Sequence, residues 1–130
     1  MVGVSVHSTV PVGFNSDGGW KSAFNLVAPR LNMIALKDFY WEKGPNGWRQ
    51  VNCPIGQGMV NWKAYFALLA KAGFHGPVSL HLEYEIPGAT AAARQEQTLA
   101  AASRDLAFVR AGLAEAYGSI AGIGGSARGR

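Results

Sequence analysis

Residues 31–85 read LNMIALKDFYWEKGPNGWRQVNCPIGQGMVNWKAYFALLAKAGFHGPVSLHLEYE. The pattern predicts a buried strand, a long aromatic connection, a capped helix and a second strand. Polar residues end both strands: Lys37 and Asp38 on the first, and His81, Glu83 and Glu85 on the second. In parallel α/β proteins, functional side chains gather at the C-terminal ends of the strands. These two clusters are therefore the candidate functional site.

Local sequence signals give the limits of these elements. Leu31–Leu36 is a nearly continuous apolar run, which is typical of a strand covered on both faces. Phe39–Met59 is predicted to be a long connection, and a functional role would explain its length. Asn61 is placed to cap the next helix and Gly73 to end it. Val78–Tyr84 then forms the second strand.

The flanking segments extend the alternation of strands and helices. Val2–Val6 is a short apolar run that predicts a strand, and Asp17 can cap a helix that Pro29 stops. A long helix is predicted over Ala91–Tyr117, and the Gly-rich residues 118–130 are predicted to be a flexible tail. The spacing of three and four in this helix predicts a buried face made of Leu99, Ala102, Leu106, Val109 and Leu113. The order βαβαβα indicates an α/β fold with parallel strands and right-handed crossovers.

Composition excludes several classes of protein. The chain has 130 residues, 48% of them hydrophobic and 15% charged, so a single compact domain is expected. No apolar run approaches the roughly 20 residues that span a bilayer, and no secretory signal is visible. Cys53 is alone, so a cytoplasmic location is expected and the thiol is interpreted as a buried or loop residue. The net charge is +4 but the basic residues are scattered, so neither nucleic acid nor membrane is predicted as a partner.

Three segments carry a resemblance to a known family. KDFYWEKGPNGW, VNCPIGQGMVNW and SLHLEYE resemble the last third of sugar phosphate isomerase/epimerase proteins, which are xylose isomerase-like (β/α)₈ barrels. The resemblance covers about residues 1–117 and maps them to the sixth, seventh and eighth βα units. A complete barrel needs roughly 250 residues. The resemblance therefore implies a partial (β/α)₈ barrel of about three βα units, either a C-terminal fragment or a truncated relative.

The resemblance also implies a chemistry. Members typically bind a divalent cation, such as Mn, Mg, Zn or Co, that polarises a sugar carbonyl while acid/base groups move a proton between neighbouring carbons. Carried over to this chain, the catalytic candidates are Lys37, His81 and Glu83. The candidate metal ligands are His7, His81 and Glu83. The candidate substrate-binding residues are Asp38, Trp41 and Lys43, and the expected substrate is a sugar or sugar phosphate.

This chain departs from the family pattern at three places. On the strand that carries His81, this histidine displaces the usual glutamate ligand, and Glu83 follows two residues on. The family's Asp-x-x-His pattern falls on Val4 and His7, so the histidine is kept and the carboxylate is not. Many relatives carry a histidine where this chain has Ala35. These departures keep a second hypothesis open, namely a non-catalytic α/β module that oligomerises or binds a partner. A homodimer is expected in either case, because a three-stranded parallel sheet with helices on one face leaves its other face open.

The site residues also have less specific interpretations. Lys37 and Asp38 point to opposite sides if the strand continues through both, so one faces the barrel mouth while the other braces the loop. The alternative is an exposed ion pair, which contributes at most about 1 kcal/mol. The loop aromatics Phe39, Tyr40, Trp41 and Trp48 could stack on a sugar or on bases, although packing onto the scaffold is the favoured interpretation.

Overall fold

The computed structural model describes residues 18–125. The predicted strand Val2–Val6, the candidate ligand His7 and the predicted cap Asp17 lie outside these residues. In chain order the elements are α1 (Gly18–Val27), a 3-10 turn (Ala28–Arg30), β1 (Ile34–Leu36), β2 (Asp38–Gly44), β3 (Gly47–Cys53), α2 (Trp62–Lys71), β4 (Val78–Leu80) and α3 (Ala91–Gly125). None of the helices in this part of the chain is long and apolar enough to cross a bilayer.

The strands β1 and β4 are parallel neighbours, as the sequence predicts. Ile34 pairs with Val78 and Leu36 with Leu80. The N–H of His81 donates to the carbonyl of Leu36 at 2.9 Å, which extends the pairing by one residue. This register places the segments that follow β1 and β4 side by side, at one edge of the sheet.

One hydrophobic core joins the three helices to this parallel pair. Ile34 and Leu36 are buried, and Phe24 of α1 and Val109 of α3 belong to the same cluster. Helix α2 contributes its buried face of Trp62, Tyr65, Phe66 and Leu69. Each large apolar side chain of this kind stabilises the fold by about 1.5–3 kcal/mol when it is fully buried. The core thus fixes the two strand ends that carry the polar clusters.

Helix α2 begins and ends where the sequence predicts. The side chain of Asn61 accepts a hydrogen bond from the N–H of Ala64 at 3.1 Å, which satisfies one of the free donors of the first turn. Gly73 follows the helix with φ of +66°, a conformation that disfavours residues with a Cβ. Both caps are confirmed.

The predicted long loop over Phe39–Met59 is wrong. Most of it is an antiparallel hairpin of β2 and β3, in which Asp38 pairs with Cys53 and Gly44 with Gly47. The two-residue loop between the strands is Pro45-Asn46, and Gly47 takes φ of +110°. Pro at the second position and Gly at the fourth position of a turn are typical turn signals. Only the stretch after Cys53 is a loop.

Two further predictions need correction. Strand β4 ends at Leu80, before His81, Glu83 and Glu85, because its partner strand β1 ends at Leu36 and offers no further pairing. Helix α3 continues past Tyr117 to Gly125, so the first part of the predicted tail is helical; residues 126–130 are outside the described chain. The helix stays regular there because no proline interrupts it.

The buried face of α3 agrees with the predicted one at Val109, which is buried, and at Leu113, which packs against the core, but it is otherwise rotated. Its most deeply buried residues are Ala101, Asp105 and Val109, whereas Leu99 and Leu106 are exposed. The helix therefore turns a small residue and a carboxylate toward the protein, at helical spacing, and leaves two leucines on its surface.

Candidate active site at the ends of the parallel strands

The residues after β1 and β4 meet in a Lys–Glu–His cluster. Lys37 Nζ donates to Glu83 Oε2 at 2.9 Å, and His81 Nδ1 lies 3.1 Å from Glu83 Oε1. Glu83 therefore holds a cation on one carboxylate oxygen and an imidazole on the other. The Lys37 side chain is 18% exposed, while His81 and Glu83 are 36% and 43% exposed, so a ligand can reach all three from solvent.

The electrostatics of the cluster determine the protonation of its members. The hydrogen bond from Lys37, followed by that from His81, lowers the pKa of Glu83 below its usual value of 4.5. Glu83 is thus ionised at neutral pH, and an ionised carboxylate only accepts hydrogen bonds. Nδ1 of His81 must then carry the proton, which leaves Nε2 of a neutral ring as a lone-pair acceptor.

The neighbouring residue, Asp38, points the other way and is fully engaged. It is 1% exposed and accepts five hydrogen bonds, from the N–H groups of Phe39, Gly56, Gly58 and Val60 and from the indole of Trp62. The five distances run from 2.8 to 3.3 Å. Asp38 therefore ties the loop between β3 and α2 to the start of β2. Its carboxylate has no contact with the Lys–Glu–His cluster.

The two loop glycines make this arrangement possible. Gly56 has φ of +88°, and a Cβ on it would lie 2.6 Å from the ring of Phe108. A Cβ on Gly58 would lie 2.2 Å from Asp38 Oδ1 and 2.5 Å from the carbonyl oxygen of Phe39. Only residues without a side chain allow the backbone donors to approach the carboxylate this closely. The sequence Gly56-Gln57-Gly58 thus builds a nest of donors for a protein carboxylate.

A second buried carboxylate was missed by the sequence reasoning. Asp105 is 1% exposed and accepts a hydrogen bond from the Tyr84 hydroxyl at 2.8 Å and two from the Arg104 guanidinium at 2.9 and 3.0 Å. Burial, followed by the hydrogen bond to Asp105, raises the pKa of Tyr84 to about 12. Arg104 also donates to the Tyr84 hydroxyl at 2.8 Å. This network fixes the segment that carries His81 and Glu83 against α3.

The remaining candidates lie apart from the cluster. Glu85 is exposed, and the hydrogen bonds of the cluster join Lys37, His81 and Glu83 without it. Trp41 and Lys43 lie on β2, farther along the hairpin. Cys53 is buried, as predicted, and burial together with the charge of Asp38 raises the pKa of its thiol to about 11, so it is a poor nucleophile. The placement of His7 is outside the described residues.

The donor set within residues 18–125 does not fit a metal centre. The resemblance described above implies a divalent cation bound by His7, His81 and Glu83. No group of three or more His, Cys, Asp or Glu side chains in the described chain could hold one. Of the candidate ligands, only His81 and Glu83 are described, and both oxygens of Glu83 already accept from Lys37 and His81.

The fold is an α/β arrangement of helices and parallel strands, and the Lys–Glu–His cluster lies at the ends of the parallel strands. Residues 14–110 match the family described as Xylose isomerase-like TIM barrel, and the chain belongs to this family. The membership confirms the resemblance seen in the sequence and indicates a sugar-modifying enzyme family. Comparisons with curated proteins and with solved structures find no match.

Proposed function

We propose that the chain forms part of the active site of a sugar isomerase or epimerase, and that it corresponds to the C-terminal portion of the family barrel. The observation that carries the proposal is the Lys37–Glu83–His81 cluster at the ends of two adjacent parallel strands. Proton transfer next to a carbonyl requires a cation and a base. In this cluster both groups are held by one carboxylate. The expected substrate is a sugar or sugar phosphate.

Each member of the cluster has a separate role in the proposed reaction. The ammonium of Lys37 binds the sugar carbonyl oxygen and stabilises the negative charge that develops on it as the neighbouring C–H is deprotonated. Nε2 of His81 takes that proton. In isomerisation it returns the proton to the neighbouring carbon, while the hydroxyl proton of the deprotonated carbon passes to the former carbonyl oxygen. In epimerisation, water supplies a proton to the opposite face of the same carbon and His81 releases its proton to solvent. Glu83 keeps Nδ1 of His81 protonated and holds Lys37 in place, so it is a positioning residue.

Substrate binding changes the balance within the cluster. Lys37 is the first cause of the lowered pKa of Glu83. When the ammonium moves onto a substrate oxygen, Glu83 loses part of that stabilisation and interacts more strongly with His81. A stronger carboxylate interaction stabilises the imidazolium that forms after proton abstraction. The cluster is therefore matched to the charge changes of a proton transfer.

The predicted metal set of His7, His81 and Glu83 remains a prediction. The contacts of Glu83 argue for acid/base work by the described residues, and no step of the proposed reaction is routed through a metal. The predicted substrate contacts of Asp38 are less well supported, because its carboxylate is enclosed by five protein donors. We propose that Asp38 braces the loop instead.

Deuterium exchange tests the proposal directly. The protein, with aldoses and ketoses in D₂O, should incorporate deuterium at the carbon next to the carbonyl, which ¹H NMR detects. Lys37→Met and His81→Gln should each slow exchange by about 10²–10⁴-fold, the usual contribution of an acid/base group. Glu85→Gln is the matched control, since this exposed carboxylate lies outside the cluster, and it should exchange at the wild-type rate. Equal exchange by all variants would refute the assigned roles.

The non-catalytic module stays as the second candidate, and self-association is expected in both cases. Within residues 18–125 the parallel sheet has two strands, and α3 exposes Leu99 and Leu106 one heptad apart, at 63% and 39%. Such a helix face is suited to an isologous contact with a second copy. Sedimentation velocity should show a dimer, and Leu99→Lys should dissociate it. A wild-type monomer at all concentrations would contradict this expectation.

A further inference from the structure

The hairpin presents two faces of different character. Residues directly opposite in an antiparallel pair share a face. Phe39 opposes Asn52, Trp41 opposes Gln50, and Lys43 opposes Trp48. These six residues form what we call the aromatic face. The opposite face carries Tyr40 and the ion pair between Glu42 and Arg49.

The tryptophans of the aromatic face are not part of the core. Phe39 is 2% exposed, whereas Trp41 is 37% and Trp48 is 67% exposed, so the expectation that the loop aromatics pack onto the scaffold holds only for Phe39. Phe39 and Trp41 meet edge to face, with centroids 6.4 Å apart and an interplanar angle of 89°. Trp41 therefore contacts Phe39 and remains partly exposed to solvent. Neighbouring exposed tryptophans indicate a binding surface.

The aromatic face is continuous with the Lys–Glu–His cluster. Asn52 Nδ2 donates to the carbonyl oxygen of Glu83 at 3.2 Å, so the edge of the face contacts the segment that carries the cluster. Lys37, Phe39 and Trp41 are spaced two residues apart, so their side chains lie on the same side of an extended chain. Asp38 lies between Lys37 and Phe39 and points to the opposite side, as this alternation requires. Trp41 lies four residues beyond Lys37, which corresponds to ~14 Å along an extended strand. A single sugar ring at the cluster cannot span that separation.

Polar groups lie between the rings of the aromatic face. Gln50 Nε2 donates to Asn52 Oδ1 at 3.2 Å, and no hydrogen bond within the described residues uses Gln50 Oε1. Amide groups beside flat apolar rings match a pyranose, which has an apolar C–H face and a rim of hydroxyls. The only charged side chain of the face is Lys43, because Arg49 is on the other face and paired with Glu42. A polyanionic nucleic acid strand would need a more basic groove.

From these observations we infer that the substrate is a short oligosaccharide. One terminal unit lies at the Lys–Glu–His cluster, and the following units stack on Trp41 and Trp48 with hydroxyls on Gln50. This inference rests on the proposed function for the position of the reacting unit, and it adds the substrate class and the surface that selects for chain length.

Calorimetric titration of the protein with malto- and cello-oligosaccharides of one to four units tests the inference. Affinity should rise with chain length in one of the two series. Trp41→Ala should weaken binding of the longer sugars by about tenfold, the usual loss for a truncated aromatic anchor. The same variant should bind the monosaccharide with the affinity of the wild type. Tyr40→Ala is the matched control, because Tyr40 and Trp41 are equally exposed, at 38% and 37%, on opposite faces.

The outcomes separate this inference from the proposed function. Length-independent binding, no binding of any of these sugars, or a loss with Tyr40→Ala instead of Trp41→Ala overturns the aromatic face as the sugar surface. Tighter, salt-dependent binding of a single-stranded oligonucleotide overturns it in favour of nucleic acid. If Trp41-dependent binding occurs but no deuterium exchange is seen, the proposed reaction fails and the sugar surface stands. If monosaccharides undergo exchange but Trp41→Ala binds the longer sugars as tightly as the wild type, the proposed reaction stands and the sugar surface fails.

Discussion

Replacing Asp38 by asparagine tests whether this carboxylate organises the loop between β3 and α2. Oδ2 accepts hydrogen bonds from the N–H groups of Gly56 and Gly58 and from the Trp62 indole, and Oδ1 accepts from those of Phe39 and Val60. Asparagine keeps one acceptor oxygen and replaces the other by an NH₂ donor. In its better orientation it retains the three bonds to Oδ2 and loses two, while its NH₂ faces two backbone donors.

The magnitude follows from the burial of the group. Hydrogen bonds to a charged partner contribute about 1.5–3 kcal/mol each, and a buried donor without a partner costs about 1–3 kcal/mol. Loss of two such bonds should therefore lower the free energy of unfolding by about 3–5 kcal/mol. That is a large part of the roughly 5–15 kcal/mol of a typical domain. Asp38→Asn should be close to its stability limit.

Urea denaturation followed by far-UV circular dichroism measures the effect. Glu42→Gln is the matched control: it is the same chemical change on the same strand, but Glu42 makes an exposed pair with Arg49. It should lower the stability by no more than about 1 kcal/mol. If Asp38→Asn does not fold, Trp62→Phe removes the indole donor together with part of a buried ring, and it should fold with lowered stability. Equal stability of Asp38→Asn and Glu42→Gln would refute the bracing role.

Three further results are expected. The pKa of Glu83 is lowered from 4.5, so its contribution to stability is present above that pH and is lost as the pH falls through the pKa of the folded state. In thermal melts from pH 6 to 3, the melting temperature of the wild type should therefore fall more than that of Glu83→Gln. The pKa of Cys53 is raised from 9.0 to about 11, and at pH 8 it should react with a disulfide reagent about 100-fold more slowly than a free thiol; a fast reaction in the folded protein would contradict its burial. In α3, Gly112→Ala places a Cβ 2.5 Å from the ring of Phe66 and should destabilise by about 1–3 kcal/mol. Gly118→Ala meets nothing within 4 Å and should stabilise by about 0.5–1 kcal/mol, so a denaturation experiment that ranks the two variants the other way would contradict the packing of α3 on α2.

The elements that sequence reasoning found share a strong local signal. Helix α2 has an apolar face at helical spacing, the cap Asn61 and the stop Gly73, and all of these act within the segment itself. The parallel pairing of β1 and β4 follows from their apolar composition and from the helix between them. In the hairpin only the turn carries such a signal, in Pro45 and Gly47, and the two strands carry none. Its residues from Tyr40 to Gln50 are mostly exposed, so no alternation of apolar and polar residues marks its strands.

The candidate site likewise has one part that the sequence predicts and another part that it does not. The rule that functional side chains gather at the C-terminal ends of parallel strands selects Lys37, Asp38, His81, Glu83 and Glu85 from the sequence. The structure brings only Lys37, His81 and Glu83 into one cluster. The partners of Asp38 could not be predicted, because four of the five donors are backbone N–H groups that have no sequence signature. The pairing of Tyr84 with Asp105 joins residues 21 positions apart through tertiary packing. Both depend on the fold rather than on local pattern.

Lys37 and Asp38 are adjacent and oppositely charged, but each pairs with other groups instead of with its neighbour. Asp38 is buried and would ordinarily demand a cation, and Lys37 is the nearest one in the sequence. Five N–H donors compensate the carboxylate instead, so the ammonium of Lys37 is left for Glu83 on the other side of the strand. The loop glycines are thus linked to the chemistry without touching it. By supplying donors to Asp38, they leave Lys37 free to pair with Glu83 and hold the backbone that carries it.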